Sequence, residues 1–575
     1  MVVTNNHYDK VYIHVVTVYY DNMAGYIFKK QSRGNTYYYA GESERVGKTS
    51  RRKWEVYLGT FEKIVKTMGE GILLPDEVSS TPYGLYSAFV ETANDISFIE
   101  NIDIVYPKRN QGLNIGEYFL FGILARLTKP RTTNSIEEWY VDNRLDMVYD
   151  ADPKFLTVQN YWNNSSSIDF EKINDVHDLL LDTIAKKYDI HDTYIYFDPS
   201  NFHTYIENNI ETSEIAKRGN SKHKRFDLLQ AGLALAVTQG EGIPVYHKTY
   251  PGNVNDVTFF KENINEFIEH LKKNGAQEII VVFDKGNNAK EIFDVICKPG
   301  KQNIKFIGSL RPSSFKELFE TPLDEFEGKY ETDAENEVLY KETRVDIYER
   351  NFRAVLTYDQ RTYKKKMNTW VENMKDVVDE IEEFIEYKLN IKKWRSKEAV
   401  EEKLVTMTSK KDLKDILQFT VSEEQGKLKV SLFTDMEEAE KVMKSWGKTL
   451  IFTSCENKDI VDVIKGYRMK NDIEECFKIL NNSHILSIRP IHHWTDQMIK
   501  AHMATCVFGL ELIQVMRKKL NDNNVIVSVS KMFQSLHDIT LIKLDYNNKK
   551  TVYKVSSVRK DTRKTATTLG VKLKL

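Results

Sequence analysis

The 575-residue chain is too long for one ordinary domain, and its length predicts roughly two to four. A hydrophobic content of 41% suffices for true cores, while only 12 Pro and 26 Gly exclude long disordered linkers. With 82 Lys and Arg against 84 Asp and Glu, the net charge of −2 neither marks nor excludes a nucleic-acid binder, so that function must rest on local clusters.

In chain order, residues 1–60 read as a β-rich N-terminal module, because VYIHVVTVYY, NTYYYAG and KWEVYLG are aromatic and β-branched runs punctuated by Gly, Asn and Ser. Within it, GESERVGKTS at 41–50 looks like a phosphate-binding loop but fails the test. Five residues separate Gly41 from Gly47 where four are needed, and a strand-like run follows instead of a helix. Residues 61–190 turn helical, as in IGEYFLFGILARL and INDVHDLLLDTIAKKY, and are assigned to DNA binding. From 191 to 310 the runs DTYIYFD, AGLALAV, VYHKTY, EIIVVFD and IKFIGSL predict strands, with a helix over VTFFKENINEFIEHLKK opened by Asp256 as its cap. The fold class expected is α/β, a mixed sheet flanked by helices. Residues 311–455 interrupt it as an inserted α+β domain. Its long helix carries Trp370, Met374, Val377, Ile381, Phe384 and Ile385 at helical spacing. Residues 456–530 return to helices, and 531–575 form a basic C-terminal segment. There, ten Lys and Arg over 543–575 face only Asp545 and Asp561, a balance of +8.

A second basic cluster, Lys217, Arg218, Lys222, Lys224 and Arg225, falls within nine residues. Such runs are as often solvated surface as they are phosphate contacts. Cys297, Cys455, Cys476 and Cys506 form no Cys-x-x-Cys pair, which argues against zinc and redox motifs and for reduced thiols. No run of 18 apolar residues and no leader-like start is present, so no membrane association is expected, and the location expected is cytoplasmic.

Three carboxylates carry the chemistry. Asp198 closes YIYFD and Asp284 closes IIVVFD, and ligand sites of α/β sheets lie at the carboxyl ends of strands. Each Asp equally fits a turn cap. Glu474 lies on a predicted helix, GYRMKNDIEECFKILNN, whose apolar stripe is Ile473, Phe477 and Leu480. Tyr467, Lys470, Glu474, Lys478 and Asn481 share the adjacent face, though Glu474 and Lys478 also suit a surface ion pair.

These residues resemble the DDE transposases of bacterial insertion sequences, in particular the group with a Tyr-x2-Arg-x3-Glu-x6-Lys helix and a large insertion before the final Glu. Tyr467 and Glu474 match that signature, whereas Lys470 stands at the Arg position and Asn481 at the Lys position. FDPSNFHTYIE, RGNSKHKRFDLLQAGLALAV, GIPVYHKTYPGNVND, VVFDKGNNAKEIF and RPIHHWTDQMIKAHMATCVFGL resemble further family segments in the same order, over about residues 190–515.

The resemblance implies an RNase H-like catalytic core split between 191–310 and 456–530. It implies two divalent ions, Mg²⁺ or Mn²⁺, with Asp198 bridging both and Asp284 and Glu474 each holding one. The reaction implied is cleavage of element ends and transfer of their 3′-OH strands to target DNA. Expected DNA contacts are Tyr467, Arg468, Lys470, Lys478, Arg489, Arg218, Lys222 and Arg225. His493 and Trp494 are either further contacts or a packed turn. Partners implied are double-stranded DNA, at element ends and target, and a second copy of the chain in a synaptic homodimer of a bacterial or archaeal, nucleoid-associated protein. Two alternatives stay open: a nuclease of the same architecture without strand transfer, and a non-catalytic DNA-binding relic.

Overall fold

The computed structural model describes residues 25–575 apart from 33, 47–48, 70–74, 108–111, 128–134, 191–193, 207–212, 220–224, 274–277, 298–302, 334–335, 410–412, 414 and 547–549. They divide into two units, one within 25–80 and 541–554 with Leu575, the other within 81–540 and 555–574.

In the first unit, β1 (Tyr26–Ser32), β2 (Asn35–Val46) and β3 (Thr49–Gly59) form an antiparallel sheet, followed by the helix Phe61–Gly69. Gly41 and Ser50 therefore lie in the β2–β3 hairpin, where no phosphate loop leads into a helix. A second sheet has the order β17-β16-β4, from β4 (Glu77–Pro82), β16 (Thr540–Tyr546) and β17 (Lys550–Val555).

The second unit is built on nine strands. They are β5 (Tyr194–His203), β6 (Gln230–Thr238), β7 (Pro244–Pro251), β8 (Ile279–Val282), β9 (Ile304–Leu310), β10 (Gly328–Asp333), β11 (Asn336–Ile347), β12 (Arg350–Asp359) and β15 (Lys448–Thr453). Their order is β10-β11-β12-β15-β9-β8-β5-β6-β7. β5, β6 and β7 run as an antiparallel meander, β8 and β9 join parallel to β5, and β15, β12, β11 and β10 alternate onward. The pairings thus point β5, β8, β9 and β12 the same way. Every residue of β6 and β8 is buried, because helices cover both faces, so their apolar runs are continuous.

On one face, Phe197, Phe283, Phe306 and Phe452 form an aromatic layer with Phe260 and Phe293 of the covering helices Asp256–Lys273 and Lys290–Ile296. Phe197 and Phe260 stack with centroids 4.4 Å apart. Burying each such ring contributes about 1.5–3 kcal/mol. The first of these helices is capped by Asn255, whose Oδ1 accepts the Thr258 N–H at 2.8 Å, and not by Asp256, which receives the Tyr250 hydroxyl at 3.4 Å. On the other face lies the 27-residue helix Asp496–Asp522, apolar enough to pass for a membrane span yet mostly buried as a core helix. It brings Glu511 to a fully buried polar chain: His177 Nδ1 is 3.1 Å from Glu511 Oε2, and His177 Nε2 is 2.8 Å from His247 Nδ1. Burial raises the Glu511 carboxyl well above its usual value, lowers His177 to about 3 and lowers His247 well below the ordinary range. In each case burial disfavours the charged form, because a charge in this position would lack solvation.

Residues 311–455 differ from a single inserted domain. β10, β11, β12 and β15 continue the central sheet, covering the edge that β9 would otherwise leave open. The separately packed part is the helix Gln360–Tyr387, the helix Lys397–Thr408 and the hairpin of β13 (Leu417–Glu424) and β14 (Lys427–Thr434), around Val377, Ile381, Phe384, Leu404 and Leu417. The basic C-terminal segment is folded too. After β17 it forms the helix Lys560–Thr568, with Ala566, Leu569 and Val571 buried.

Candidate active site

The site is laid out by strand register. Tyr196 lies opposite Val282 in the parallel β5–β8 pair. Two residues on, Asp198 lies within β5, opposite Leu235 of β6, and Asp284 follows the end of β8 as the cap of a short turn. Asp198 therefore does not close its strand as the sequence suggests, because pairing with β6 carries β5 on to His203. Two-residue periodicity gives Asp198 the same face as Tyr196, whose hydroxyl donates to the Gly466 carbonyl at 2.8 Å. Gly466 has no alternative here, since a Cβ would lie 2.4 Å from the Tyr194 ring, so glycine lets the helix Ile460–Arg468 sit directly on β5.

Glu474 is on this same side. Its helix, Asn471–Asn481, buries Ile473, Phe477 and Leu480, with Phe477 6.4 Å from Phe202 of β5. Tyr467 and Glu474 do not share one continuous helix, however. The chain turns at Met469–Lys470, where the Asp472 N–H bonds to the Met469 carbonyl at 3.0 Å. The turn is seated on the β6–β7 connection: Asp472 Oδ2 accepts the Gly240 N–H at 2.7 Å, and Gln239 Nε2 lies 2.8 Å from Met469 Sδ. Glu474 and Lys478 are exposed on the outer side of their helix.

Asp284 is the most elaborated of the three carboxylates. Lys470 Nζ is 3.3 Å from its Oδ1, and the Lys285 N–H donates to the same oxygen at 2.8 Å. The Tyr467 hydroxyl lies 2.7 Å from Ser309 Oγ and 3.3 Å from Asp284 Oδ1, and Ser309 Oγ lies 3.5 Å from that oxygen. Partial burial alone would raise this carboxyl, but the Lys470 charge and the Lys285 N–H outweigh it and hold it below its usual value. Lys470 responds in kind: desolvation pulls it down, and Tyr467 and Asp284 together raise it above an ordinary lysine.

Several expected DNA contacts have partners within the chain. Tyr467 is 6% exposed and faces Asp284 and Ser309, so it positions the carboxylate and does not reach outward. Lys470 is engaged by Asp284. Arg468 donates from Nη2 to Asp359 Oδ2 at 2.6 Å, because Asp359 is buried and needs a counter-charge. Arg225 forks onto Asp227 at 2.8 and 2.7 Å. Arg489 Nη2 meets Asn481 Oδ1 at 2.9 Å, which brings a guanidinium to the helix position where the resembled signature has Lys. Arg218 and Lys478 are exposed, and Lys222 lies outside the described residues. Trp494 is exposed. His493 is half-buried with its ring 5.1 Å from His502, and burial lowers it to about 4.

Sequence reasoning missed two residues. Ser309 was visible as a lone hydroxyl in the apolar run IKFIGSL. Asp359 ends β12, another strand codirectional with β5, and caps the helix Gln360–Tyr387 through the Arg361 and Thr362 N–H groups. The run AVLTYD carries the same strand-then-Asp pattern as YIYFD and IIVVFD.

The donor chemistry of Asp198, Asp284 and Glu474 suits a hard divalent cation, and Lys470 already supplies positive charge at Asp284. Among the described residues, no group of three His, Cys, Asp or Glu side chains is drawn together at metal-binding distances.

No protein-family profile and no curated protein matches the chain. Among solved structures it is similar to the piggyBac transposase synaptic complex with hairpin DNA, at 9% identity and a TM-score of 0.35, over 80% of this chain and 82% of that one. It is also similar to the Mos1 transposase paired-end complex with the left transposon end, at 10% identity and a TM-score of 0.15, over 35% of this chain and 60% of that one. Superpositions this loose carry no argument, and the functional reading rests on the site itself.

Proposed function

We propose that the chain is a DNA transposase acting on double-stranded element ends and target DNA, with Asp198, Asp284 and Glu474 as its acidic set on an RNase H-like core. The observation that supports this reading is the parallel pairing of β5 with β8, whose last pair, Tyr196 opposite Val282, lies two residues before Asp198 and Asp284. The strand order β7-β6-β5-β8-β9, a meander followed by two parallel strands, supports the RNase H-like assignment.

Asp198 and Asp284, joined by Glu474, would hold Mg²⁺ or Mn²⁺, which supplies an acidified water and a stabilised leaving oxygen for phosphodiester cleavage and strand transfer. The chain's own residues prepare the edge. Tyr467 and Ser309 fix the Asp284 carboxylate in orientation, and Lys470 keeps it ionised. Exposed Lys478, and Arg489 held by Asn481, offer positive charge to DNA phosphates along the Glu474 helix.

An excision assay tests the proposal. A plasmid bearing the element between its native flanks is incubated with Mg²⁺ and either the wild type or Asp284→Ala. Release of the donor backbone by the wild type alone supports the reading. A second reading, a DNA-binding relative without catalysis, is favoured by the Lys470–Asp284 pair and the outward Glu474. It predicts binding to element ends with no release by either protein.

A further inference from the structure

The β1–β3 sheet has two unlike faces. On one, Ala40 is buried and Tyr38 meets Phe61 of the following helix at 6.2 Å. On the other, cross-strand partners line up aromatic rings: Phe28 opposite Tyr39, Lys30 opposite Tyr37, and Tyr39 opposite Tyr57. Tyr26 and Tyr57 are 47% and 52% exposed. The rings form one continuous field, with centroids 5.7 Å apart for Phe28–Tyr39, 5.3 Å for Tyr39–Tyr57 and 5.6 Å for Tyr26–Phe28.

Cations lie over this field. Lys30 Nζ is 4.6 Å from the Tyr39 ring centre, and the Arg52 guanidinium carbon is 3.8 Å from that of Phe28. Glu55 holds both, by hydrogen bonds from Lys30 and Arg52. Residues 25–69 carry ten Lys and Arg and four Asp and Glu, a balance of +6 in a chain whose total is −2.

We propose that this face is a stacking platform for single-stranded DNA. Two half-exposed rings, Tyr26 and Tyr57, on a partly covered aromatic field interleaved with cations match unpaired bases joined by phosphates, whereas a duplex hides its base faces. Apolar protein partners are disfavoured by the cations, and a lipid surface would meet a flat ring field with no apolar side chain long enough to insert. The platform stands on its own geometry. The choice of DNA over RNA rests on the transposase reading.

The test is fluorescence anisotropy with the full chain in EDTA, using labelled oligothymidylate, a duplex of mixed sequence and oligouridylate. The double variant Tyr26→Ala/Tyr57→Ala is compared with Tyr26→Phe/Tyr57→Phe. Both side chains are half-exposed, so folding is retained, and circular dichroism checks it. The expected result is a loss of oligothymidylate affinity of at least about tenfold in the Ala pair, no loss in the Phe pair and duplex affinity unchanged. Unchanged strand affinity, an equal loss for duplex, or wild-type preference for oligouridylate overturns the proposal. So does strand binding that appears only after removal of residues 1–24, which would assign the face to a segment of the chain itself. Because no cleavage is measured, failure here leaves the excision test untouched.

Discussion

Asp284 and Asp359 are written alike, each an acidic residue closing an apolar strand, and they end two codirectional strands of one sheet. Their surroundings separate them. Asp359 is 5% exposed and saturated by a guanidinium at 2.6 Å and two helix N–H groups. Asp284 keeps nearly half of its side chain in solvent, and its side-chain partners stand off at 3.3–3.5 Å. Asp359 is enclosed by short bonds, whereas Asp284 is oriented and left accessible.

That contrast gives opposite mutational signatures. The largest effect expected is on activity: Asp284→Ala lowers cleavage by about a thousandfold or more while thermal unfolding barely moves. Asp359→Ala reverses the pattern. It leaves Arg468 without its counter-charge and the Gln360–Tyr387 helix without its cap, costing about 2–4 kcal/mol in denaturant unfolding. If the two variants behave alike, the distinction between them fails. Tyr467→Phe is intermediate, removing the hydroxyl that lies between Ser309 and Asp284. A drop of about tenfold in turnover is expected, with a stability cost near 1 kcal/mol, and single-turnover kinetics beside unfolding curves separate the two.

The smallest effect is a slope with pH. His177 and His493 titrate in the folded chain at about 3 and about 4, and His247 and His502 lie well below their usual value. The unfolded chain takes up these protons first. Stability is therefore complete above the unfolded histidine value near 6.5 and falls as pH drops below it, by roughly 1.4 kcal/mol per pH unit for each group. Glu511 opposes this, since burial raises its carboxyl and favours the protonated form in the folded state. Denaturant midpoints from pH 7.5 to 5.5 measure the net slope, and a flat profile would contradict the buried neutral chain.

Much of this was readable beforehand. The strands that carry Asp198 and precede Asp284 were legible from their apolar runs, but the end of the first was not, since pairing with β6 extends β5 past Asp198 to His203. The stripe Ile473, Phe477 and Leu480 gave the buried side of the Glu474 helix from its period alone. Side-chain partnerships were not legible. Lys470 and Arg468 were assigned to phosphate as cations beside an expected site, but each lies within reach of a carboxylate more than a hundred residues away in the chain. The turn at Met469–Lys470 was hidden for a similar reason, since it is set by Gly240 and Gln239 on a distant hairpin and by no local breaker. β10, β11 and β12 read as an insertion because polar strands at the end of a sheet do not announce which sheet they join.

The pairing of β9 with β15 also sets a schedule for biosynthesis. β9 ends at Leu310, and its partner begins at Lys448. At about 5–20 residues per second on the ribosome, the exposed edge of β9 waits several seconds for its neighbour. During that interval a nascent chain carries an unprotected apolar strand beside the acidic residues it will later serve, and the hairpins β10–β12 cannot yet be anchored through β15. Such long-range closure slows folding and makes the half-made sheet a natural client for chaperones.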